Sequence, residues 1–131
     1  GPPPPSFELL LTEMSESVSD KAIVQKKASD RAWTHIFESI TPAQFASMIE
    51  KTDLDHYKPS VAEIVAPMVT TLTCDHVVAV IRVSSWNAVN VVKKMLPYVS
   101  DLDKNIDKIK MNLSDWDNTL LRRDFEQALK H

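Results

Sequence analysis

Cys74 and His76 stand two positions apart at what reads as the start of a helix. A thiol there is drawn toward its thiolate by the helix dipole, and an imidazole can take the proton, the pairing that nucleophilic catalysis uses. The spacing defeats it. Side chains at i and i+2 leave a helix on different sides, and no third group stands near in sequence to orient the base. Cys74 therefore reads as a structural residue and His76 as a polar surface residue. Metal chemistry fares no better. His35, His56, His76 and His131 lie far apart, no HExxH spacing occurs, and a single cysteine rules out CxxC. Asp53 and Asp55 superficially suggest a calcium loop, but Leu54, Tyr57 and the missing central glycine break its pattern. The paired acids Asp101/Asp103 and Asp115/Asp117 read as helix caps and turns. No residue is assigned a catalytic role, no metal or cofactor is expected, and the chain is not expected to be an enzyme.

Glycine usage excludes further classes. The only glycine is Gly1, and Gly1-Pro2 has the look of a scar from tag cleavage. Phosphate-cradling loops and dinucleotide turns need glycine for positive φ and close backbone approach. Tight hairpin turns need it too, which argues against an antiparallel β fold. The net charge is −3, from 15 basic and 18 acidic residues, so the chain as a whole does not attract nucleic acid or anionic lipid. No apolar run is long enough to span a membrane, and no secretory leader is visible. One cysteine in 131 residues permits no internal disulfide and fits an intracellular location, nucleus or cytoplasm.

The elements that position these residues are written as one pattern repeated. Gln44–Ile49 aligns with His76–Ile81 at an offset of 32, and Val61–Val69 with Val91–Val99 at an offset of 30. Each copy is a short apolar helix, a turn, and a second helix that runs into a proline, Pro67 or Pro97. A period near 30 indicates stacked helical hairpins. Thr41-Pro42-Ala43-Gln44 is the clearest helix start, with a capping threonine, proline at the first position and glutamine closing a capping box. In the second copy Thr73 is the cap and His76 takes the place of Gln44. The run Val77, Val78, Val80, Ile81, Val83 would pass alone for a strand. Its register with Phe45–Ile49 assigns it to a helix. Ser84-Ser85 caps the next helix.

Outside the repeat, Pro2–Pro5 reads as extended polyproline II. Ser6 caps a helix whose buried face is Phe7, Leu10, Leu11 and Met14, and Ser15–Ser19 is a turn. A helical region after Ser19 carries the stripe Ala28, Ala32, Trp33, Ile36, Phe37 and Ile40, with Ser29-Asp30 as the place where it can break. Trp33 is a core anchor. Ser100-Asp101 caps a short helix, and Ser114–Asp117 opens the last one as another capping box, with Leu120, Leu121, Phe125, Ala128 and Leu129 as its apolar stripe. The expectation is an all-α fold of about seven short helices, packed as stacked hairpins in one domain. Residues 1–5 are a proline-rich tail or a tag remnant, and residues 6–131 the helical domain with its repeat at 41–69 and 73–101. The first two helices cap one end of the stack and the last helix the other.

Grooves between stacked helices accept a partner helix or extended peptide. Tyr57, Trp86, Tyr98 and Trp116 are aromatic residues the core does not need and are the candidate partner contacts. Lys93, Lys94, Arg122 and Arg123 form a candidate basic patch for nucleic acid or an anionic membrane, and self-association is a third reading. Any function is placed in the turns that the copies do not share, around Asp53–Pro59 and Ser84–Trp86.

Ser6–Met14, the Gln44–Ile49 helix, the paired Val61–Val69 and Val91–Val99 helices and the tail Phe125–Ala128 together resemble the helical domain at the N-terminus of proline- and serine-rich protein 1. The likeness covers about residues 6 to 129. The segment Ser15–Arg31 is longer here, and Pro67 and Pro97 differ. The resemblance implies a non-enzymatic domain attached to a long low-complexity chain and acting with nuclear protein complexes.

Overall fold

Several helix starts in this chain are made by hydroxyl, carboxylate and carboxamide side chains that satisfy the first free N–H groups. The Ser6 hydroxyl accepts from Leu9 N–H at 3.0 Å and opens α1 (Phe7–Glu16). Ser19 opens α2 (Asp20–Ala28). The Asp30 carboxylate accepts from Ala32 N–H at 2.9 Å and starts a 3₁₀ turn, Arg31–Trp33, that leads into α3 (Thr34–Glu38). Thr41 and Gln44 close a full capping box on α4 (Pro42–Lys51). The structure, a computed structural model, describes residues 1–16, 19–84 and 88–130. Trp86 and Ser85, with part of the turn at Ser15–Ser19, lie outside the described residues.

The remaining helices are α5 (Lys58–Val65), α6 (Cys74–Val83), α7 (Ala88–Met95), α8 (Leu102–Lys110) and α9 (Asp115–Leu129). Nine α-helices thus occupy the described residues, where the sequence suggests about seven. Part of the excess arises at Ser29-Asp30. The Ser29 hydroxyl donates back to Gln25 O at 3.0 Å while Asp30 caps forward, so the helical region divides into α2 and α3. Pro67 and Pro97 act alike. A proline lacks the N–H that an α-turn needs, and both helices tighten into 3₁₀ turns, Ala66–Met68 and Leu96–Tyr98. The β-branched run after Thr73 is helical, as its register requires.

The helices pack in two rows. α1, α4, α6 and α8 lie side by side in that order, and α2, α5, α7 and α9 form the second row. Each hairpin contributes one helix to each row, which makes the fold an all-α stack of hairpins. The C-terminal end is formed by α8 as well as α9, where the sequence reading gives the last helix alone. Burial follows the stacking period. Val61, Val91 and Leu121 are buried at a spacing of thirty, as are Val65, Met95 and Phe125. At the neighbouring position Ala62 and Val92 are buried but Arg122 is exposed.

Both middle hairpins close by the same backbone bond. Thr70 N–H donates to Glu38 O at 3.0 Å, and Ser100 N–H to Leu72 O at 2.8 Å. In each, the residue after the proline turn returns to the strand of chain that leads into the hairpin.

Candidate functional site

Cys74 is fully buried, and its backbone N–H donates to the Asp101 carboxylate at 2.8 Å. Burial, then the nearby Asp101 and Asp75, pushes the thiol up to about 12. A thiol so far from ionisation is no nucleophile. Asp101 itself is held below its ordinary value. Burial pulls it upward, but Cys74 N–H and the Asn105 amide, donating at 2.7 Å, outweigh burial. Asp101 is the N-cap residue of α8, as its sequence position indicates, but its side chain makes no cap bond there and its carboxylate instead accepts the Cys74 N–H at the start of α6.

His76 corrects the sequence reading in another way. It is buried, not on the surface. Thr73 N–H donates to Nδ1 at 3.1 Å, which leaves Nε2 to donate to Ile40 O at 2.9 Å. A carbonyl only accepts, so the ring is fixed as the neutral Nε2–H tautomer. His76 and Cys74 therefore serve as struts between α6 and its neighbours, and neither is arranged for chemistry.

Two further struts hold the Asp53–Pro59 turn. Lys58 Nζ donates to Ile49 O at 2.8 Å, Thr52 O at 2.9 Å and Glu50 O at 3.2 Å, which neutralises the last carbonyls of α4. Asp53 N–H donates to the buried Asp20 carboxylate at 2.7 Å. Burial and then the Asp53 charge raise Asp20, against the Asp53 N–H bond and the charges of Lys51 and Lys58. None of these residues stands out in the sequence, because their partners lie six to thirty-three positions away.

With the struts assigned, the surface carries what remains. On the outer side of α5, α7 and α9 a cleft of about 550 Å³ is lined by His56, Pro59, Asn90, Lys93, Lys94 and Asp124. Lys94 pairs with Glu63 at 2.6 Å. Lys93 and Arg123 have no hydrogen bond or ion pair among the described residues. The structure thus brings Lys93 and Lys94 to this face, and Arg123 occupies on α9 the position of Lys93 on α7, thirty residues earlier. Arg122 turns away toward the furrow between α8 and α9. Tyr57 stacks on His56 at 4.2 Å and is half-buried. Tyr98 is exposed on the proline turn after α7, and Trp116 is 69% exposed in the first turn of α9. Leu120 follows one turn later. It and Leu129 belong to the apolar stripe read from the sequence but are exposed, because α9 turns only Leu121 and Phe125 into the core. A depression over α4, α6 and α8 is of similar size, about 500 Å³, but its Lys108 already faces Asp75 at 3.6 Å.

No helix among the described residues is long and apolar enough to cross a membrane. The fold and its surface define an all-α helical-hairpin domain. Residues 36–123 match the model of a family described as a domain of unknown function (DUF4476), and the chain belongs to that family. The matched span runs from α3 into α9, so it contains every residue lining the cleft except Asp124 and leaves out α1 and α2. No curated protein and no solved structure matches the chain.

Proposed function

We propose that the chain is a non-catalytic protein-interaction domain, in which a stack of helical hairpins holds a segment of a partner protein against its outer surface. One observation supports this most. Of the seven large apolar side chains exposed among the described residues, Met111, Trp116, Leu120 and Leu129 lie on the last hairpin and Tyr98 on the proline turn before it, Leu54 and Val83 lie elsewhere, and α1 and α2 expose none. Terminal hairpins of a stack are ordinarily polar on the outside, and large apolar side chains left in water on the last hairpin mark an interaction surface. The doubled helix pattern works here as a repeat that builds a long ridged face. An intracellular location, nucleus or cytoplasm, accords with the single buried thiol, and the likeness to the helical domain of proline- and serine-rich protein 1 points the same way.

The test is a comparison of proteins retained by the immobilised chain and by its Trp116→Ala/Leu120→Ala and Tyr98→Ala variants. Loss of the same retained proteins in the variants supports the proposal. Unchanged recovery in both contradicts it. Light scattering across concentration checks self-association, which the same exposed side chains would also permit.

A further inference from the structure

We infer that the outer face of α5, α7 and α9 binds an extended, acidic segment of the partner, with carboxylates at a spacing of about three residues and an apolar side chain beside them. The inference rests on the proposed protein-binding role and specifies the ligand.

The charges on this face are unevenly used. Lys94 is neutralised by Glu63 across α5 and α7. Lys93 and Arg123 are exposed and have no ion partner among the described residues, although they stand at matching positions on adjacent helices. Packed helices lie about 8–10 Å apart. A segment in the extended polyproline II conformation rises about 3.1 Å per residue and turns once every three residues, so carboxylates three apart leave the same side about 9 Å apart and reach both cations. A helical ligand rises about 1.5 Å per residue and covers only half that distance in three. The same face supplies apolar contact, since Trp116 and Leu120 precede Arg123 on the exposed side of α9. The cleft beside Lys93, lined also by His56, Pro59 and Asn90, leaves room for a side chain.

A polyanion such as RNA fits less well. Asp124 lines the cleft and Glu63 stands beside it. Fixed carboxylates oppose a phosphate chain that runs continuously over the surface, whereas a peptide can place neutral residues opposite them.

The experiment uses the full chain and a fluorescein-labelled peptide, Leu-Glu-Ser-Ser-Glu-Leu, read by fluorescence anisotropy. Controls are the same peptide with lysine for glutamate and a single-stranded oligonucleotide of equal charge. The expected result is binding of the acidic peptide about tenfold tighter than the lysine peptide, with the order reversed in Lys93→Glu/Arg123→Glu. Trp116→Ala should weaken binding several-fold, and Lys26→Glu, on α2 at the opposite end of the row from α9, should leave it unchanged. All four positions are exposed, and unchanged circular dichroism verifies folding of each variant. Equal or tighter binding of the oligonucleotide overturns the inference in favour of phosphate recognition. No preference for the acidic peptide, while Trp116→Ala still loses retained proteins, overturns the acidic ligand and leaves the protein-binding role standing. Loss of both removes the role as well.

Discussion

The Asp101 carboxylate accepts the backbone N–H of Cys74 at 2.8 Å, although Asp101 stands at the start of α8 and Cys74 at the start of α6. One residue thus ends its own hairpin connection and caps the helix beside it. The second oxygen of the carboxylate is occupied by Asn105.

Replacing this carboxylate should cost stability in a pH-dependent way. Asp101 in the folded chain lies below its ordinary value, so its contribution is fully present above the ordinary carboxylate range and is lost as pH falls through the folded-state value. Asp101→Ala should lose about 1–3 kcal/mol at neutral pH. The gap to wild type should shrink below about pH 3.9, where the carboxylate begins to protonate. Urea titrations at pH 7 and pH 3 check this, and a pH-independent gap would contradict it. Asp20 has the opposite sign. Its folded value is raised, so the penalty for burying its charge is present at neutral pH and is relieved as pH falls through that raised value.

His76 joins two partners with one neutral ring, and glutamine can do the same with its carbonyl and amide. Gln44 already fills the equivalent position on α4, where its side chain accepts Thr41 N–H at 3.1 Å. His76→Gln should therefore stay within about 1 kcal/mol of wild type, and His76→Leu should lose about 2–4 kcal/mol by stranding Thr73 N–H and Ile40 O. Thermal unfolding of both variants measures the difference. Equal losses would show that ring volume, not hydrogen bonding, is what the site requires.

Lys58→Met keeps most of the side-chain length but removes three charge-assisted bonds to the end of α4. The expected loss is about 1–3 kcal/mol. Amide hydrogen exchange should speed up first in the last turn of α4 and in the turn that follows, with α8 and α9 unaffected.

Cys74 is buried with its thiol pushed up to about 12. At pH 8 the native chain should resist alkylation by iodoacetamide, and the unfolded chain should react at the rate of a free thiol. Rapid labelling of the native chain would mean that α6 opens readily.

The chain shows in sequence whatever is local and periodic. The capping box at Thr41 and Gln44 and the proline stops at Pro67 and Pro97 are readable from neighbouring residues, and the helical nature of the valine-rich α6 from its repeat register with Phe45–Ile49. The break at Ser29-Asp30 is readable only as a possibility of the two residue types. The struts are hidden because their partners are remote. His76 resembles a surface histidine until Ile40, 36 residues earlier, is placed against it. The pairing of Lys93 with Arg123 on one face likewise depends on α9 continuing the row begun by α5 and α7. The turn at Asp53–Pro59, singled out as a shared-copy exception, divides in the structure. Lys58 holds the fold, and His56 and Pro59 line the cleft.

The most direct measurement is site-specific photocrosslinking in cell extract, with the crosslinker placed in turn at Lys93, Leu120, Arg123, Thr12 and Gln25. A stack that binds a partner on its α5–α7–α9 face predicts one shared crosslinked protein from the first three positions and none from Thr12 and Gln25 on α1 and α2. Crosslinks confined to Thr12 and Gln25, or none from any position, would contradict it.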